Sequence, residues 1–291
     1  MARTIRTANG TATVPRGSLD LGPKIVAYVA LALICIFMVF PFAWMLVSSF
    51  KPFEEIFAGR TFLPQNPTLR NYGSLFEQAN AWRKIWNSFF IATASTGLSV
   101  FLCALGGYAF AKFRFPGRGF LFSFMLASMA IPFAVVMVPL FIMMRNYFHW
   151  IDTPLPLIVP GAANAFGVFF MRQYMSTLPD ELLDAARVDG ASEFRIFMRV
   201  VLPVSIPALV SLSIIFFMAS WNNFLWPQAV LRSPDQQTVP LMLNSLQGPP
   251  GRTAFDVLMA GSVVSLLPML VIFLVLQRHL IGGITAGSVK G

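Results

Sequence analysis

The chain has 291 residues, of which 56% are hydrophobic and only 11% charged. A soluble domain carries about 25% charged residues, so a soluble globular fold is excluded, and 30 Phe exclude a disordered chain. The net charge of +9 calls for no nucleic acid, because basic inner loops of a membrane protein meet an anionic leaflet.

In chain order, residues 1–24 read as a polar, flexible tail. Six stretches then lack Asp, Glu, Lys, Arg and His: 25–50, 85–111, 119–144, 153–171, 200–231 and 257–277. A helix needs about 20 apolar residues to cross a hydrocarbon core about 30 Å thick. The expected fold is therefore all-α, a polytopic membrane protein with six transmembrane helices in a lipid bilayer. The stretch at 25–50 is longer than the usual 7–15-residue signal core and no small-x-small site follows, so it reads as a retained first helix. Cys35 and Cys103 fall inside spans and read as packing residues. Pro41, Pro132, Pro139, Pro227 and Pro268 lie in or beside spans, either as kinks or as local packing.

Placing the N-terminus inside puts most of the 21 Lys and Arg in inner segments, three of them in the short loop Lys112–Arg118. The positive-inside rule then makes both termini cytoplasmic.

The chain has no G-x-x-x-x-G-K-[ST] phosphate loop and no G-x-S-x-G elbow. His149 and His279 are far apart, and no Cys/His/acid group has metal-ligand spacing. No catalytic residue, metal or cofactor is expected, and the chain reads as a non-enzyme. Intramembrane acids and histidines commonly mark proton-coupled carriers, and the six stretches have none. Their absence favours uncharged cargo and an energy source in another protein, while sodium coupling through backbone carbonyls stays open.

The loop between the fourth and fifth stretches, 176–203, is the most informative. Pro179, Asp180 and Glu181 start a helix, with Thr177 as a cap, and Gly190 stops it. Ser192 can cap a second helix, whose Phe194, Phe197, Met198 and Val201 form an apolar stripe. Pro203 and Pro207 break the pattern. The first helix carries Asp180, Glu181, Asp184 and Asp189 against Arg187, so an anionic leaflet does not attract it. The pairs Ala185-Ala186 and Gly190-Ala191 let another backbone approach. The segment reads either as a knob for a partner's groove or as a solvated loop.

Asp184-Ala185-Ala186-x-x-Asp189-Gly190-Ala191, followed by Leu202-Pro203, resembles the EAA motif of ABC importer permeases, with Asp184 where that family has Glu. Tyr108–Gly117, Trp221-Asn222-Asn223-Phe224, Thr238-Val239-Pro240-Leu241, Gln277-Arg278 and Gly283–Gly291 resemble the carbohydrate, maltose-type branch. Asn223 stands where an acid is common. The resemblance covers nearly everything after residue 25. It implies a core permease domain over 84–277 preceded by the first helix at 25–50, with tails at 1–24 and 278–291, in a bacterial or archaeal cell membrane.

The resemblance also implies partners: a second, different permease, two ATPase subunits, an extracytoplasmic solute-binding protein and a sugar substrate. Asp184, Ala185, Ala186, Asp189, Gly190, Ala191 and Phe194 would couple to the ATPase, which the tail over 280–291 would also touch. The outer loop 232–256 would reach into the binding protein. Trp221, Asn222 and Asn223 supply an aromatic face and neutral amides suited to sugar, and either line the pathway or hold helices together. The alternatives are a permease for glycerol phosphate or a polyamine, an ion-coupled secondary carrier, or a scaffold without transport.

Overall fold

The structure is a computed structural model. It describes residues 4–7, 10–13, 21–58, 61–248 and 254–285, with side chains over 22–58, 61–248 and 254–275. Inside the expected flexible tail, Thr4–Thr7 (β1) and Gly10–Thr13 (β2) pair antiparallel, Thr4 opposite Thr13. The remaining described elements are helical: α1 Leu21–Ser48, α2 Phe53–Ala58, α3 Arg70–Glu77, α4 Ala81–Lys112, α5 Arg118–Ser128, α6 Phe133–Asn146, α7 Leu155–Ile158 and α8 Ala165–Met175. There follow α9 Asp180–Val188, α10 Glu193–Ile196, a π turn Phe197–Val201, α11 Leu202–Val204, α12 Ile206–Trp221, α13 Leu225–Val230, a 3-10 turn Pro234–Gln236, α14 Val239–Gln247 and α15 Phe255–Thr285.

Among the described residues, three helices are long and apolar enough to cross a membrane: Gly22–Ser48, Ala81–Lys112 and Phe255–Val275. Two more expected spans are bent pairs. α5 and α6 meet at 96°, and the segment Glu193–Val204 meets α12 at 80°. The 153–171 stretch departs from the expected single helix. Pro154, Pro156, Pro160 and Gly161 divide it into the short α7 and the 11-residue α8, which at 1.5 Å per residue reaches only about 16 Å. The 200–231 stretch is likewise not one helix. α12 ends at Trp221, where the Asn222 backbone N–H and side-chain Nδ2 both donate to the Met218 carbonyl, at 3.1 and 3.0 Å. Such local competition for a backbone acceptor favours a helix end.

α4 is the central strut. It packs against α8 and α12, and its 32 residues correspond to about 48 Å of helix. The approach to α8 depends on glycine: a Cβ on Gly107 would lie 2.6 Å from Met171 Cβ, and one on Gly167 would lie 2.6 Å from Cys103 Sγ. Small residues at such crossings let apolar helices gain dispersion contact where lipid gives no hydrophobic drive. Cys103 is fully buried there, whereas Cys35 faces outward.

Two apolar clusters sit at opposite ends of α4. One gathers Tyr108, Met171, Leu183, Ile196 and Phe197. The other gathers Leu75, Ala81, Ala92, Trp221, Met242 and Ala260. A third joins Met144, Trp226, Val230, Leu231 and Leu241. α1 packs on α15 and buries its C-terminal end at Ser48, but its side chains from Val26 to Phe40 are exposed, Phe37 at 81%. Such a surface requires an apolar solvent or a partner.

Candidate functional site

The 180–194 elbow is a helix, a tight turn and a second helix. Asp180 and Glu181 occupy the first turn of α9, where the helix dipole favours acids. Gly190, at φ +77°, ends it. Its N–H donates to the Arg187 carbonyl at 3.0 Å, and the Ala191 N–H donates to the Ala186 carbonyl at 3.0 Å. This pair of bonds is a Schellman motif, which needs a left-handed residue after the cap. Thr177 does not cap α9, because its hydroxyl donates to the Tyr174 carbonyl instead. Ser192 occupies the cap position of α10 without a side-chain cap bond.

The small pairs divide between two faces. Ala186 and Ala191 pack inward against the bundle, while Ala185 and Gly190 face out. Leu183 is the inward anchor at 1% exposed, a burial that contributes about 1.5–3 kcal/mol. Val188 is 88% exposed and Phe194 60%. The expected stripe of Phe194, Phe197, Met198 and Val201 is also divided. Phe197 and Val201 are buried with Ile196, and Phe194 and Met198 are exposed. The π turn over Phe197–Val201 has a wider repeat than an α-helix, which rotates the buried line away from i, i+3 spacing.

Ionic and hydrogen-bonded ties fasten the elbow to α4. Arg187 pairs with Asp184 Oδ1 at 2.7 Å through Nη1 and with Glu193 Oε1 at 2.8 Å through Nε. The Tyr108 hydroxyl donates to Glu193 Oε2 at 3.0 Å. Lys112 Nζ donates to the Leu178 carbonyl at 2.5 Å and pairs with Asp180 Oδ1 at 2.6 Å. The Lys112 hydrogen bond and charge hold the Asp180 carboxyl below its usual range. Asp184 and Glu193 hold the Arg187 guanidinium more firmly protonated than usual, Glu193 foremost. The basic turn after α4 and the elbow therefore share one end of the bundle.

Of the three expected pathway residues, Asn223 lines a cavity. Trp221 is 2% exposed and donates from Nε1 to the Ser265 carbonyl at 3.2 Å, and Asn222 folds back on its own helix. Asn223 and Asn164 both border two adjoining cavities. One, of about 780 Å³, is largely apolar and bounded by Phe133, Phe166 and Trp226. The other, of about 230 Å³, is bounded by Ser95, Thr96, Ser99 and Ser220. Sequence reasoning missed Asn164 and these hydroxyls. The available signal was Ser95 and Ser99 at i, i+4 on α4, one helical face.

At the opposite end of the bundle from the elbow, Asp152 ties two loops together. It lies at φ +65° and accepts from the Arg232 and Ser233 backbone N–H groups at 2.8 and 2.9 Å, and from the Ser233 hydroxyl. Its own N–H donates to the Val230 carbonyl at 2.8 Å. The Ser233 hydroxyl, followed by its N–H, holds the carboxyl below the usual carboxylate range. A depressed folded pKa contributes stability above the unfolded value of about 3.9, lost as pH falls through the folded value. Hydrogen exchange at Arg232 and Ser233 should thus stay protected from pH 7 to 5, beyond the intrinsic rate change. Protection should begin to fall below about pH 4. In Asp152→Asn that dependence should vanish, and its persistence there would exclude Asp152 as the titrating group.

The segment expected to be the outer loop is pinned to the first turns of α4. Asn87 Nδ2 donates to the Asp235 and Gln237 carbonyls at 2.7 and 3.1 Å, and the Val239 N–H donates to Ser88 Oγ at 2.7 Å. Residues 249–253 of that expected loop lie outside the described residues. The 278–291 segment is helical in backbone to Thr285, and residues 286–291 lie outside the described ones.

Long apolar helices, two sharply bent pairs, an anchored polar elbow and an uncharged cavity define a polytopic α-helical membrane permease. The chain belongs to the family described as binding-protein-dependent transport system inner membrane component, whose pattern matches residues 103–285. Its ATPase is a separate subunit, and this chain is not an enzyme. It is 39% identical over 277 residues to the arabinooligosaccharides transport system permease protein AraQ of Halalkalibacterium halodurans, covering 94% of this chain and 96% of that one. It is 34% identical over 268 residues to the lactose transport system permease protein LacG of Rhizobium radiobacter, covering 92% and 97%. The fold is shared, at a TM-score of 0.80 and 24% identity, with a chain of a bacterial ABC transporter that imports the acidic polysaccharide alginate. That likeness covers 92% of this chain and 100% of that one.

Proposed function

We propose that this chain is one half of the membrane pathway of an ATP-driven importer of sugar or a similar neutral solute. A second, different permease completes the pathway. Two ATPase subunits grip the cytoplasmic elbow, and an extracytoplasmic solute-binding protein delivers cargo. Both termini lie in the cytoplasm, on the side of the elbow and of the basic turn 112–118. Six membrane crossings give this arrangement, with the broken 153–171 segment completing the fourth.

The observation that carries the reading is the elbow itself. Its inward face is anchored by Leu183, Ala186 and Ala191, while Ala185, Val188, Gly190 and Phe194 are presented outward. Apolar exposure on a rigid, charged frame suits a groove in a protein partner. The sugar assignment draws on the relatives named for arabinooligosaccharides and lactose, and on cavities whose lining contains no titratable side chain. Glycerol phosphate or a polyamine would require charge in the pathway that only the partner permease could supply.

The test is reconstitution of the whole complex. Asp184→Lys, Val188→Arg and Gly190→Leu should each insert into the membrane, yet lose ATPase co-purification or fall at least tenfold in ATP-dependent sugar uptake. Normal uptake and normal ATPase retention in all three would remove the coupling role of the elbow. Concentration of solute by the lone chain under an ion gradient, with no nucleotide, would instead establish a secondary carrier.

A further inference from the structure

The hydroxyls along α4 are satisfied unevenly. Serines elsewhere in the apolar helices bond the carbonyl four residues back: Ser211 to Pro207 at 2.9 Å, Ser213 to Leu209 at 2.7 Å and Ser262 to Leu258 at 2.8 Å. Thr96 does not. The carbonyl it would use, that of Ala92, instead shares the single Ser95 hydroxyl proton with Ser220 Oγ, at 3.3 and 3.0 Å. Thr96 is 8% exposed, and its hydroxyl has no partner. A buried polar group without a hydrogen bond is costly, more so in an apolar medium, and Thr96 lies on the wall of a cavity.

That cavity contains further unused hydrogen-bonding capacity. Ser95 Oγ donates to Ser220 Oγ at 3.0 Å, which leaves that pair able to accept. Asn164 Oδ1 accepts from the Gly167 N–H at 3.2 Å, leaving its Nδ2 donors open, and Asn223 makes no side-chain bond among the described residues. The same two amides border the larger cavity, whose walls include Phe166 and Trp226. Donors, acceptors and ring faces thus converge with no titratable group on either wall. Both volumes together are of the size used by small-molecule sites, roughly 300–1,000 Å³.

We propose that this chain holds its own sugar subsite, in which Thr96, Ser220, Asn164 and Asn223 bond the hydroxyls of a neutral pyranose or furanose while Phe166 covers its apolar face. The proposal rests on the importer reading above and extends it. The permease half described here contacts cargo directly and is not merely a wall for its partner. Neutral amides and hydroxyls bond sugar hydroxyls without favouring an anion. The subsite therefore discriminates against uronic acids, for which no cation is present.

The experiment uses the assembled importer in proteoliposomes with its binding protein, and radiolabelled arabinotriose and lactose as probes. Thr96→Val keeps the shape and removes only an unpaired hydroxyl, so the thermal midpoint should not fall. Asn223→Leu removes an amide that bonds nothing among the described residues. Each should lower sugar imported per ATP hydrolysed by roughly three- to tenfold, with the assembled complex recovered in wild-type yield. In a Cys35→Ser background, alkylation of Ser220→Cys should be slowed by arabinotriose or lactose during turnover. An alginate trisaccharide should not slow it.

Wild-type uptake accompanied by unchanged sugar-to-ATP ratios in both variants would overturn the subsite and leave the importer reading standing. So would equal protection by the acidic and the neutral sugars. No ATP-driven uptake of any neutral sugar by the wild-type assembly would overturn the importer reading, and the subsite with it.

Discussion

Gly107→Ala should destabilise the protein by more than its single methyl suggests, by about 1–3 kcal/mol, and Gly107→Val by more. A Cβ at this position would lie 2.6 Å from Met171 Cβ, 2.9 Å from the Arg172 backbone nitrogen and 3.0 Å from the Met171 carbonyl carbon. Two of these neighbours are backbone, so no rotamer change relieves the contact. α4 and α8 must separate. That movement also pulls Arg172 from the Phe110 carbonyl, to which its Nε donates at 3.3 Å, and from the Phe122 ring, 4.1 Å from its guanidinium carbon. Gly106→Ala is the matched control, because its Cβ would meet only the Val168 side chain, at 3.2 Å nearest. Thermal unfolding of the detergent-solubilised protein, followed by size-exclusion chromatography, should show a clear loss for Gly107→Ala and a small change for Gly106→Ala. Equal midpoints in the two variants would mean that the crossing has slack at residue 107.

Apolar run length made the membrane fold legible in the sequence, because an uncharged stretch of 21 or more residues has few other uses. The bends were not. Pro41, Pro139 and Pro268 sit inside helices, while Pro132 opens α6 after a 96° bend. A proline frees one carbonyl, and whether the helix bends there depends on neighbours that re-satisfy it. Those neighbours come from distant sequence.

The elbow was legible because a Schellman turn is local chemistry: one glycine and the carbonyls just before it. Which alanine faces in was not, since Leu183 and the π turn set that rotation through tertiary packing. The cavity was least legible. Thr96, Asn164 and Asn223 come from three distant places in the chain. Asn223 was a candidate by its own neighbours, but Thr96 and Asn164 join it only when α4, the break before α8 and the end of α12 meet. For Trp221 the sequence left two roles open, lining the pathway or holding helices together. Aromatic-plus-amide spacing at 221–223 suits sugar binding, yet the ring is buried against α15 through Ser265.

The second large effect is expected where the elbow meets α4. A double variant, Tyr108→Phe with Lys112→Met, should keep the fold and retain the ATPase, yet lower sugar uptake per ATP by roughly ten- to hundredfold. Lys112 is nearly enclosed, with 6% of its side chain exposed, while Asp180 is 74% exposed. Methionine fills the Lys112 stem with little change in packing, and water hydrates the Asp180 that is left. Stability therefore changes little. What disappears is the tether, because the Leu178 carbonyl and Asp180 on one side, and Glu193 on the other, lose their bonds to the strut. α4 carries those ties at one end and Ser95, Thr96 and Ser99 nearer its middle, so it is the rigid path from elbow to cavity. Asp180→Asn should do less, since Lys112 keeps the Leu178 carbonyl. Lys112 holds the Asp180 carboxyl below its usual range, so it stays ionised throughout pH 5–8 and should leave no inflection in the uptake profile there. ATP-driven uptake at the wild-type ratio in the double variant would show that the elbow reaches the cavity by some other route.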